Sequence, residues 1–276
     1  MILVTGGTGY IGSDLVDRLR DKYNVKVLTR KSKKSKDFEF VKGNITDYKS
    51  MLNATKDVDY IYHLAGITER KGFGVSKEKF FEVNVDGTEN VLRAGIENSV
   101  KKIIFVSSVG AIYEDMTIYG LSKRMAEEVV KRYSNKINVI TIRPSFVYDE
   151  ERFRSLKKYR IFPKLGIDFK FHPTFKEPLI RAFLNSIKCK RNGFYNIADR
   201  KPVKINDISN VLKNDLGINQ IYIPKILIGI GKFIPQLSGF IRTTFKDREF
   251  NIKDSEEYLK YKPEDTIEAF KRIFGD

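Results

Sequence analysis

Short apolar runs alternate with longer amphipathic stretches along the first half of the chain. The run ILVTG precedes DLVDRLRDKY, and VKVLTR precedes YKSMLNAT. Short runs rich in β-branched residues predict strands, whereas apolar residues spaced three and four apart predict helices. Strands that alternate with helices favour a parallel sheet, because each helix returns the chain to the edge where the next strand starts. The pattern therefore predicts an α/β fold.

The alternation continues as far as Tyr148 and then loses its regularity. The later elements that it predicts are a helix in VNVDGTENVLRAGIENS, a strand in KKIIFVSS, a helix in YGLSKRMAEEVVKRYS and a strand in NVITIRPS. Beyond them come a basic run, ERFRSLKKYR, and shorter helical candidates. We expect a doubly wound parallel sheet over residues 1–148 and a smaller substrate-binding region over residues 149–276, packed on the C-terminal edge of the sheet with a cleft between them.

Glycines cluster at the junction between the first predicted strand and the first predicted helix. Gly6, Gly7, Gly9 and Gly12 directly follow the apolar run. Glycine permits a sharp turn and lets the backbone approach a pyrophosphate, which the amide groups at a helix N-terminus bind. The junction therefore predicts the dinucleotide-binding loop of a Rossmann domain, and a glycine-rich turn without a ligand is the alternative.

The balance of charged residues favours anionic partners. The chain of 276 residues has 51 Lys and Arg against 35 Asp and Glu, a formal net charge of +16. Phosphorylated small molecules, nucleic acids and acidic lipids all fit such a charge, which by itself does not choose among them.

Cysteine and histidine are scarce. Cys189 is the single cysteine, and His63 and His172 are the only two histidines. We therefore expect no intramolecular disulfide, no redox pair and no metal site.

No stretch of the sequence reaches the roughly 20 apolar residues that span a bilayer. The most apolar segment, PKILIGIGKFIPQL, contains Lys225 and Lys232. We interpret it as a buried or interface helix rather than as a membrane-surface segment. The first predicted strand begins at Ile2, which leaves no room for a signal sequence ahead of it, so a cytoplasmic location is expected.

The glycine loop resembles that of a known superfamily. Its spacing, Gly6-x-x-Gly9-x-x-Gly12 after Thr5, is similar to the TGxxGxxG loop of the short-chain dehydrogenases/reductases. The segments that extend the resemblance over nearly the whole chain are YHLAG, NVDGTENVLRAG, FVSS, YGLSK, RPSFVY, FYNIADRKPVKINDIS and YLKYKPEDTIEAFKR. Together they resemble the extended branch, whose members include NAD(P)-dependent nucleotide-sugar epimerases, dehydratases and reductases.

The resemblance implies a catalytic set of Ser108, Tyr119 and Lys123. Tyr119 and Lys123 are four apart in a predicted helix, so both side chains emerge on one face. A lysine ammonium and an oxidised nicotinamide stabilise a tyrosinate, whose pKa is ordinarily about 10, so that Tyr119 can exchange a proton with a substrate hydroxyl. Ser108 is expected to hydrogen-bond the reacting oxygen, with Ser107 as the competing choice. A surface pair of Tyr119 and Lys123 is the structural alternative.

The same resemblance implies which residues contact the dinucleotide. Lys123 is expected to bind the nicotinamide ribose, and Asn44 and Ile45 are expected near the adenine ring. The full expected set is Thr5, Gly6, Gly9, Tyr10, Ile11, Gly12, Arg30, Lys31, Asn44, Ile45, Leu64, Ala65, Gly66, Asn84, Ser107, Tyr119, Lys123 and Pro144.

The residue after the second predicted strand bears on the choice between NAD and NADP. An acidic side chain there accepts from the ribose hydroxyls and favours NAD, whereas this chain has Arg30 followed by Lys31. A guanidinium holds a ribose 2′-phosphate by paired hydrogen bonds, so NADP is slightly favoured over NAD as the cofactor. A solvated basic loop is the alternative.

The residues after Ser108 bear on which reaction of the resembled family this chain catalyses. Dehydratases of the resembled family follow this position with an Asp-Glu pair, whereas Val109 and Gly110 stand here, so dehydration is disfavoured. An epimerase and a reductase both stay open. Only eleven positions lead from Ser108 to Tyr119, which indicates a trimmed loop over the substrate. The stretch HPTFKEP departs from the family pattern, and its His172 is expected to be structural.

The expected substrate is a nucleoside diphosphate sugar, with a smaller ketone or aldehyde as the alternative. The candidate partners for its pyrophosphate, each with a solvated surface position as its alternative, are Arg143, Arg152, Arg154, Lys157, Lys158 and Arg181. We also expect, by resemblance, a homodimer that pairs through the helix after Asn84 and the helix of Tyr119. A catalytically inactive protein of this fold that binds nucleic acid is a minor alternative, because the basic residues follow no aromatic-interleaved recognition motif.

Overall fold

The structure, a computed structural model, describes residues 1–31, 38–68, 74–231 and 246–275, and the chain divides into two compact units. The first unit contains Met1–Arg143, Ile180–Tyr195 and Tyr258–Lys260, and the second contains Pro144–Leu179, Asn196–Glu257 and Tyr261–Asp276. Among the helices in the described ranges, none is long and apolar enough to cross a membrane.

The strands and helices of the described residues are as follows in chain order. The strands are β1 (Ile2–Thr5), β2 (Val25–Thr29), β3 (Glu39–Lys42), β4 (Tyr60–His63), β5 (Lys102–Val106), β6 (Asn138–Pro144), β7 (Val147–Tyr148), β8 (Ile161–Leu165), β9 (Lys170–Phe171), β10 (Thr174–Phe175), β11 (Gly193–Ile197), β12 (Val203–Lys204) and β13 (Asn219–Ile223). The helices are α1 (Gly12–Arg20), α2 (Tyr48–Ala54), α3 (Lys77–Phe81), α4 (Gly87–Glu97), α5 (Ile118–Tyr133), α6 (Glu150–Lys158), α7 (Lys176–Ser186), α8 (Ile205–Leu216), α9 (Lys225–Gly231), α10 (Lys253–Tyr258) and α11 (Thr266–Gly275). A π-helical turn, Glu82–Asp86, joins α3 to α4, and a 3₁₀ turn, Val109–Ile112, follows β5.

Seven strands form the central sheet, in the order β11-β6-β5-β4-β1-β2-β3. The pairs from β6 through to β3 are all parallel. The chain runs outward from β1 to β2 and β3 and then crosses back to β4, β5 and β6. The carboxyl ends of β1 and β4 therefore meet where the strand order reverses, which is the place at which doubly wound sheets bind ligands. The predicted α/β fold with a Rossmann-type doubly wound sheet is confirmed.

The apolar run that opens the chain is buried because β1 lies in the middle of this sheet. All the residues of β1 are inaccessible to solvent. On one face, Leu15, Val16 and Leu19 of α1 are buried at the helical spacing that the sequence predicts. The opposite face shares a core cluster with apolar residues of α4 and α5. Because both faces of β1 are packed, the loop that follows it starts from a fixed point.

An aromatic cluster forms the core of the second unit. Tyr148 stacks on Phe270 with 4.9 Å between the ring centroids, and Phe162 packs edge-on against Phe270 at 5.6 Å. The buried carboxylate of Asp199 accepts hydrogen bonds from Tyr148 Oη at 2.7 Å and from Thr266 Oγ1 at 2.9 Å. Burial raises the pKa of Asp199 to about 6. The carboxylate thus ties β7 to the start of α11.

The basic run ERFRSLKKYR, where the predicted regularity ends, is mostly helical. Asp149 caps the N-terminus of α6 by accepting from Arg152 N at 2.9 Å, and Glu150 and Glu151 stand in the first turn, where the helix dipole favours negative charge. None of the residues of α6 is buried. Phe153 and Leu156 nevertheless pack, partly buried, against the aromatic cluster, so α6 is stabilised by these contacts as well as by its cap and charges.

The apolar segment PKILIGIGKFIPQL differs in part from the predicted buried helix. In α9, Ile226, Leu227 and Ile230 are 71%, 58% and 53% exposed, whereas Ile228 is buried. The prediction of burial is wrong for the first three because this short helix is apolar all round and only one side of it is covered. The interface alternative stays a prediction, and residues 232–237 of the segment lie outside the described residues.

Candidate active site

The turn between β1 and α1 folds the glycine loop back on itself. Gly6 has a φ of +76°, in the left-handed region that favours glycine. The amide of Gly9 donates to Gly6 O at 3.0 Å. A Cβ on Gly12 would lie 2.2 Å from the same oxygen, so the start of α1 packs directly on the turn. The backbone itself therefore requires glycine at positions 6 and 12.

The N-terminus of α1 fits an anionic ligand. Its N-cap residue is Ile11, which supplies no side-chain hydrogen bond to the helix. Within the described part of the chain, a Cβ on Gly9 would meet only Gly6 O inside 4 Å, at 3.1 Å. The outer side of the loop thus faces free space at the point where helix amides and the helix dipole attract phosphate. This cradle fits the pyrophosphate of a dinucleotide.

The segment that follows β4 packs against the glycine loop. A Cβ on Gly6 would lie 2.7 Å from Ala65 N. The amide of Leu64 donates to Thr5 O at 3.0 Å, and the amide of Ala65 donates to Thr5 Oγ1 at 3.3 Å. The structure therefore brings together Thr5, Gly6, Leu64 and Ala65, which the resemblance had implied separately.

His63 links the glycine loop to α4 through buried hydrogen bonds. Its Nδ1 lies 2.7 Å from Thr5 Oγ1, and its Nε2 lies 3.0 Å from Thr88 Oγ1. Thr88 Oγ1 donates its proton to Asn84 O at 2.7 Å. It must then accept from Nε2–H of His63, which leaves Nδ1 to accept from Thr5. Burial lowers the pKa of His63 to about 3, so the ring is neutral near pH 7.

Asn84 braces the segment after β4 and ties it to α5. Its Oδ1 accepts from Ile67 N at 2.7 Å, and its Nδ2 donates to Ile67 O and to Ser122 Oγ, both at 2.9 Å. Ser122 Oγ donates in turn to Tyr119 O at 2.7 Å. A Cβ on Gly66 would lie 2.8 Å from Asn84 Oδ1, so glycine at 66 allows this approach.

Helix α5 contains both Tyr119 and Lys123, and the lysine is buried at its base. Lys123 Nζ donates to Val106 O at 2.7 Å and lies 3.7 Å from where a Cβ on Gly66 would be. Burial lowers the pKa of Lys123 to about 8, with the charge of Glu127 opposing that shift. The ammonium thus lies where β5, α5 and the segment beside the glycine loop meet.

Ser108 lies where β5 ends and the 3₁₀ turn begins. Its Oγ accepts from Gly110 N at 3.1 Å, which orients the oxygen and leaves the hydroxyl proton for a different acceptor. A Cβ on Gly120 would lie 2.6 Å from Gly110 O. The 3₁₀ turn therefore packs against the start of α5 immediately beside Tyr119, and this close packing accounts for the short spacing from Ser108 to Tyr119.

The buried carboxylate of Glu127 forms an ion pair with Arg143 and also accepts a hydrogen bond from Ser107. Ser107 Oγ donates to Glu127 Oε1 at 2.6 Å, while Arg143 donates to the same carboxylate from Nε at 2.7 Å and from Nη2 at 2.6 Å. The guanidinium also lies 4.6 Å from the ring centroid of Phe194. Arg143 is held in this pair rather than solvated. The hydroxyl of Ser107 is thus occupied by Glu127, whereas that of Ser108 is not.

The residues expected at the adenosine end lie beyond β2 and β3. Arg30 and Lys31 are exposed directly after β2. Asn44 Oδ1 accepts from Thr46 N at 3.3 Å, and Ile45 is 5% exposed and packs on Gly87. Both Asn44 and Ile45 are thus fixed by the fold of the first unit.

The remaining candidates are distributed over the two units. Pro144 is buried at the end of β6 and belongs to the second unit, whereas Arg181 is exposed in the first. The basic candidates on α6, in the second unit, are Arg152, Arg154, Lys157 and Lys158. Lys157 Nζ pairs with Glu150 Oε1 at 2.8 Å. The part of the site that the structure assembles is therefore the one within the first unit.

His172 is structural, as predicted. Its Nε2 lies 2.8 Å from Asp199 O, and its Nδ1 accepts from Phe250 N at 3.0 Å. Burial lowers its pKa. Over the described ranges, no group of His, Cys, Asp and Glu side chains is placed to hold a metal ion.

Sequence reasoning missed three residues that organise the site, namely His63, Ser122 and Glu127. The signal for His63 is a polar residue at the end of the apolar strand YIYH, immediately before the glycine-containing LAG. Such a residue must find buried partners. Glu127 carries no comparable signal, because exposed glutamates are common in amphipathic helices such as α5.

Comparison with known proteins assigns a family. The model of the NAD dependent epimerase/dehydratase family matches residues 2–167, more than half of the chain. The UDP-glucose 4-epimerase of Rickettsia bellii (strain OSU 85-389) is 32% identical over 143 residues, which cover 46% of this chain and 42% of that protein. A putative UDP-glucose 4-epimerase of Methanocaldococcus jannaschii is 28% identical over 322 residues, covering 99% of this chain and 97% of that protein. The match to the Rickettsia enzyme thus spans less than half of its length.

Solved structures share the fold over the whole chain. The UDP-glucose 4-epimerase of Thermotoga maritima, solved with UDP-glucose, has a TM-score of 0.79 at 20% identity and covers 99% of this chain and 97% of its own. A monomeric L-threonine 3-dehydrogenase from a metagenome has a TM-score of 0.80 at 21% identity, covering 100% and 98%. At these identities the likeness shows the fold alone, which carries different chemistries.

A pair of glycine variants should separate ligand approach from folding. Gly9→Ala places its Cβ 3.1 Å from Gly6 O, a contact that a small shift relieves, on the side that the pyrophosphate would approach. We expect it to weaken dinucleotide binding at least about 10-fold while the thermal unfolding temperature changes little. Gly12→Ala, whose Cβ would lie 2.2 Å from a backbone oxygen, should lower the unfolding temperature itself. Unchanged binding of NAD and NADP by Gly9→Ala would contradict the cradle.

The lowered pKa of His63 predicts a pH dependence of stability. The folded His63, with a pKa of about 3, stays almost entirely unprotonated down to pH 5. In the unfolded chain the same imidazole binds a proton below its ordinary pKa of about 6.5. The free energy of unfolding therefore decreases as the pH falls below about 6.5. Between pH 7.5 and pH 5 the parent should lose about 2 kcal/mol more than His63→Asn, because other groups cancel in the difference. Urea unfolding measures both proteins, and parallel pH profiles would refute the buried neutral ring.

Proposed function

Because the chain belongs to the NAD-dependent epimerase/dehydratase family, we propose that it is a UDP-sugar 4-epimerase that uses NAD or NADP. The proposal rests above all on the buried Lys123 ammonium, one helical turn from Tyr119 and beside Gly66, in the segment packed on the glycine loop. The names of the relatives, both UDP-glucose 4-epimerases, support a UDP-sugar as the substrate.

The proton transfer falls to Tyr119 and Lys123. With a pKa of about 8, the Lys123 ammonium is mostly charged at neutral pH. A positive charge one turn away favours the tyrosinate over the phenol, so Tyr119 removes the proton of the sugar hydroxyl and later returns it. Ser108, whose oxygen is oriented by Gly110 N, donates a hydrogen bond to the same sugar oxygen.

The two segments that meet at the switch point of the sheet would hold the dinucleotide. Residues 6–12 would bind its pyrophosphate at the N-terminus of α1, and Leu64, Ala65 and Gly66 lie beside them. When bound, the nicotinamide supplies the acceptance and return of a hydride. Val109 and Gly110 bring neither an acid nor a base at the positions where dehydratases of the resembled family have an Asp-Glu pair, which disfavours the elimination of water.

A second candidate function is the NADPH-dependent reduction of a smaller ketone or aldehyde. Two observations favour it: the compact segment from Ser108 to Tyr119, and the exposed Arg30 after β2. A reductase exchanges its cofactor in each turnover, whereas an epimerase restores it within the site. Cofactor that stays bound during purification therefore supports the epimerase, and stoichiometric consumption of NADPH supports the reductase.

A homodimer through α4 and α5 belongs to the same proposal. Ile118 and Met125 of α5 are 45% and 41% exposed, apolar surface that such pairing would cover. Sedimentation of the purified protein measures the association, and a monomer at micromolar concentration would remove this part of the proposal.

Replacing Tyr119 by Phe should abolish turnover without loss of cofactor. The phenol proton is absent in Tyr119→Phe, so we expect kcat for the interconversion of UDP-glucose and UDP-galactose to fall on the order of 100-fold or more. The affinity for NAD should stay close to that of the parent. Tyr159→Phe, which alters a tyrosine that is 65% exposed in the second unit, is the matched control. Parental turnover by Tyr119→Phe would remove the assignment.

Arg30 should decide whether the protein accepts NADP. If its guanidinium binds the ribose 2′-phosphate, Arg30→Ala weakens NADP binding about 10-fold or more and changes NAD binding little. Lys22→Ala, another exposed cation of the first unit, is the control for net charge. Calorimetric titration with each dinucleotide measures both effects, and equal losses for NAD and NADP would contradict the assignment of Arg30.

A further inference from the structure

Arg124 fastens the segment that separates Ser108 from Tyr119. Its Nε donates to Ala111 O at 2.7 Å, and its Nη2 donates to Tyr113 O at 2.8 Å. One side chain of α5 thus holds two successive parts of the chain between the two candidate catalytic residues.

Arg124 binds one carbonyl within the 3₁₀ turn and one directly after it. The turn ends at Ile112, so Ala111 O is among its last carbonyls, which have no partner within the turn, and Tyr113 O belongs to the residue that follows. A guanidinium presents its N–H groups in a rigid planar fork, so a single side chain satisfies both oxygens. A lysine ammonium is a point charge on a flexible stem and cannot reproduce this pairing.

The tethered turn sets the geometry of Ser108. Ser108 Oγ accepts from Gly110 N at 3.1 Å, and Ser108 O accepts from Ala111 N at 3.0 Å. Ala111 is therefore bonded to Ser108 through its amide and to Arg124 through its carbonyl. A shift of the turn away from α5 would move both amides that orient the serine.

We propose that Arg124 is a positioning residue that holds the hydroxyl of Ser108 in its reactive orientation, a role that rests on the proposed function. Arg124 acts through the backbone of the 3₁₀ turn and not on the substrate. Its neighbour Lys123 donates to a different segment, at Val106 O. The two adjacent cations of α5 thus have separate tasks: Lys123 serves the tyrosine and Arg124 serves the serine.

Two substitutions of Arg124 distinguish the effect of the paired guanidinium hydrogen bonds from the effect of the positive charge. Arg124→Ala should lower kcat about 10- to 100-fold, because a displacement of about 1 Å at a reacting group has an effect of that size. The KM and the affinity for NAD should stay within about twofold of the parental values. Arg124→Lys keeps the charge without the fork and should resemble Arg124→Ala. Arg132→Ala, which removes an arginine of the same helix that is 64% exposed, should retain the parental kcat. A parental kcat for either Arg124 variant would overturn the proposal.

A double-mutant cycle with Ser108→Ala tests whether Arg124 acts through the serine. If it does, Arg124→Ala lowers kcat much less in the Ser108→Ala background than in the parent. An equal loss of kcat in both backgrounds would show a general structural role and overturn the proposal. The cycle therefore distinguishes positioning from stability, which the single variants alone do not.

Amide hydrogen exchange tests whether Arg124 holds the 3₁₀ turn in place, and it needs no substrate. In Arg124→Ala the amides of residues 109–113 should exchange faster, while those of β5 keep their parental protection. Unchanged exchange overturns the tether whatever the substrate is. If the exchange result is as expected and the parent binds NAD but converts no UDP-sugar, the proposed function fails and the tether stands. The kinetic arms are then run with the carbonyl substrates of the reductase.

Discussion

The close approach of Gly6 to the backbone after β4 is the constraint on which the site depends. A Cβ at residue 6 would lie 2.7 Å from Ala65 N, so the two segments meet only because glycine is there. The meeting point lies between β1 and β4, where the strand order of the sheet reverses. The rest of the site is built around this contact. His63 hydrogen-bonds Thr5 at the end of β1, and Asn84 links the segment after β4 to α5. A loop held at one end by a buried strand and at the other by a helix start is pre-organised for its ligand.

Buried polar groups around this contact are arranged so that the Lys123 ammonium is not paired with a carboxylate of the described residues. Glu127 is the carboxylate whose charge acts on Lys123, but its oxygens accept hydrogen bonds from Arg143 and Ser107. Lys123 instead donates to a neutral carbonyl, Val106 O. An ion pair with Glu127 would raise the pKa of the lysine and neutralise its field, whereas burial lowers the pKa of Lys123 to about 8. Because Glu127 is paired with Arg143, the charge of Lys123 is left to stabilise the tyrosinate of Tyr119, the role that we assign to it.

The sequence predicted the parts of the molecule whose signals are local. The glycine spacing, the alternation of strands and helices, and the four-residue step from Tyr119 to Lys123 are each read within one or two elements. The bond from His63 to Thr5 joins residues 58 positions apart, and that from Tyr148 to Asp199 joins residues 51 apart. Such residues come into contact only in the folded structure, so no local pattern in the sequence predicts that they pair. Helix α6 was missed for a different reason, because its apolar side consists only of Phe153 and Leu156 in a run that is otherwise mostly charged.

A structure of the protein with NAD shows directly whether the glycine loop binds the dinucleotide. We expect the pyrophosphate oxygens within hydrogen-bond distance of backbone amides of residues 9–12, and the nicotinamide ring between the segment 64–66 and Tyr119. A dinucleotide bound at any different place on the sheet, or a nicotinamide ring directed away from α5, would contradict this expectation.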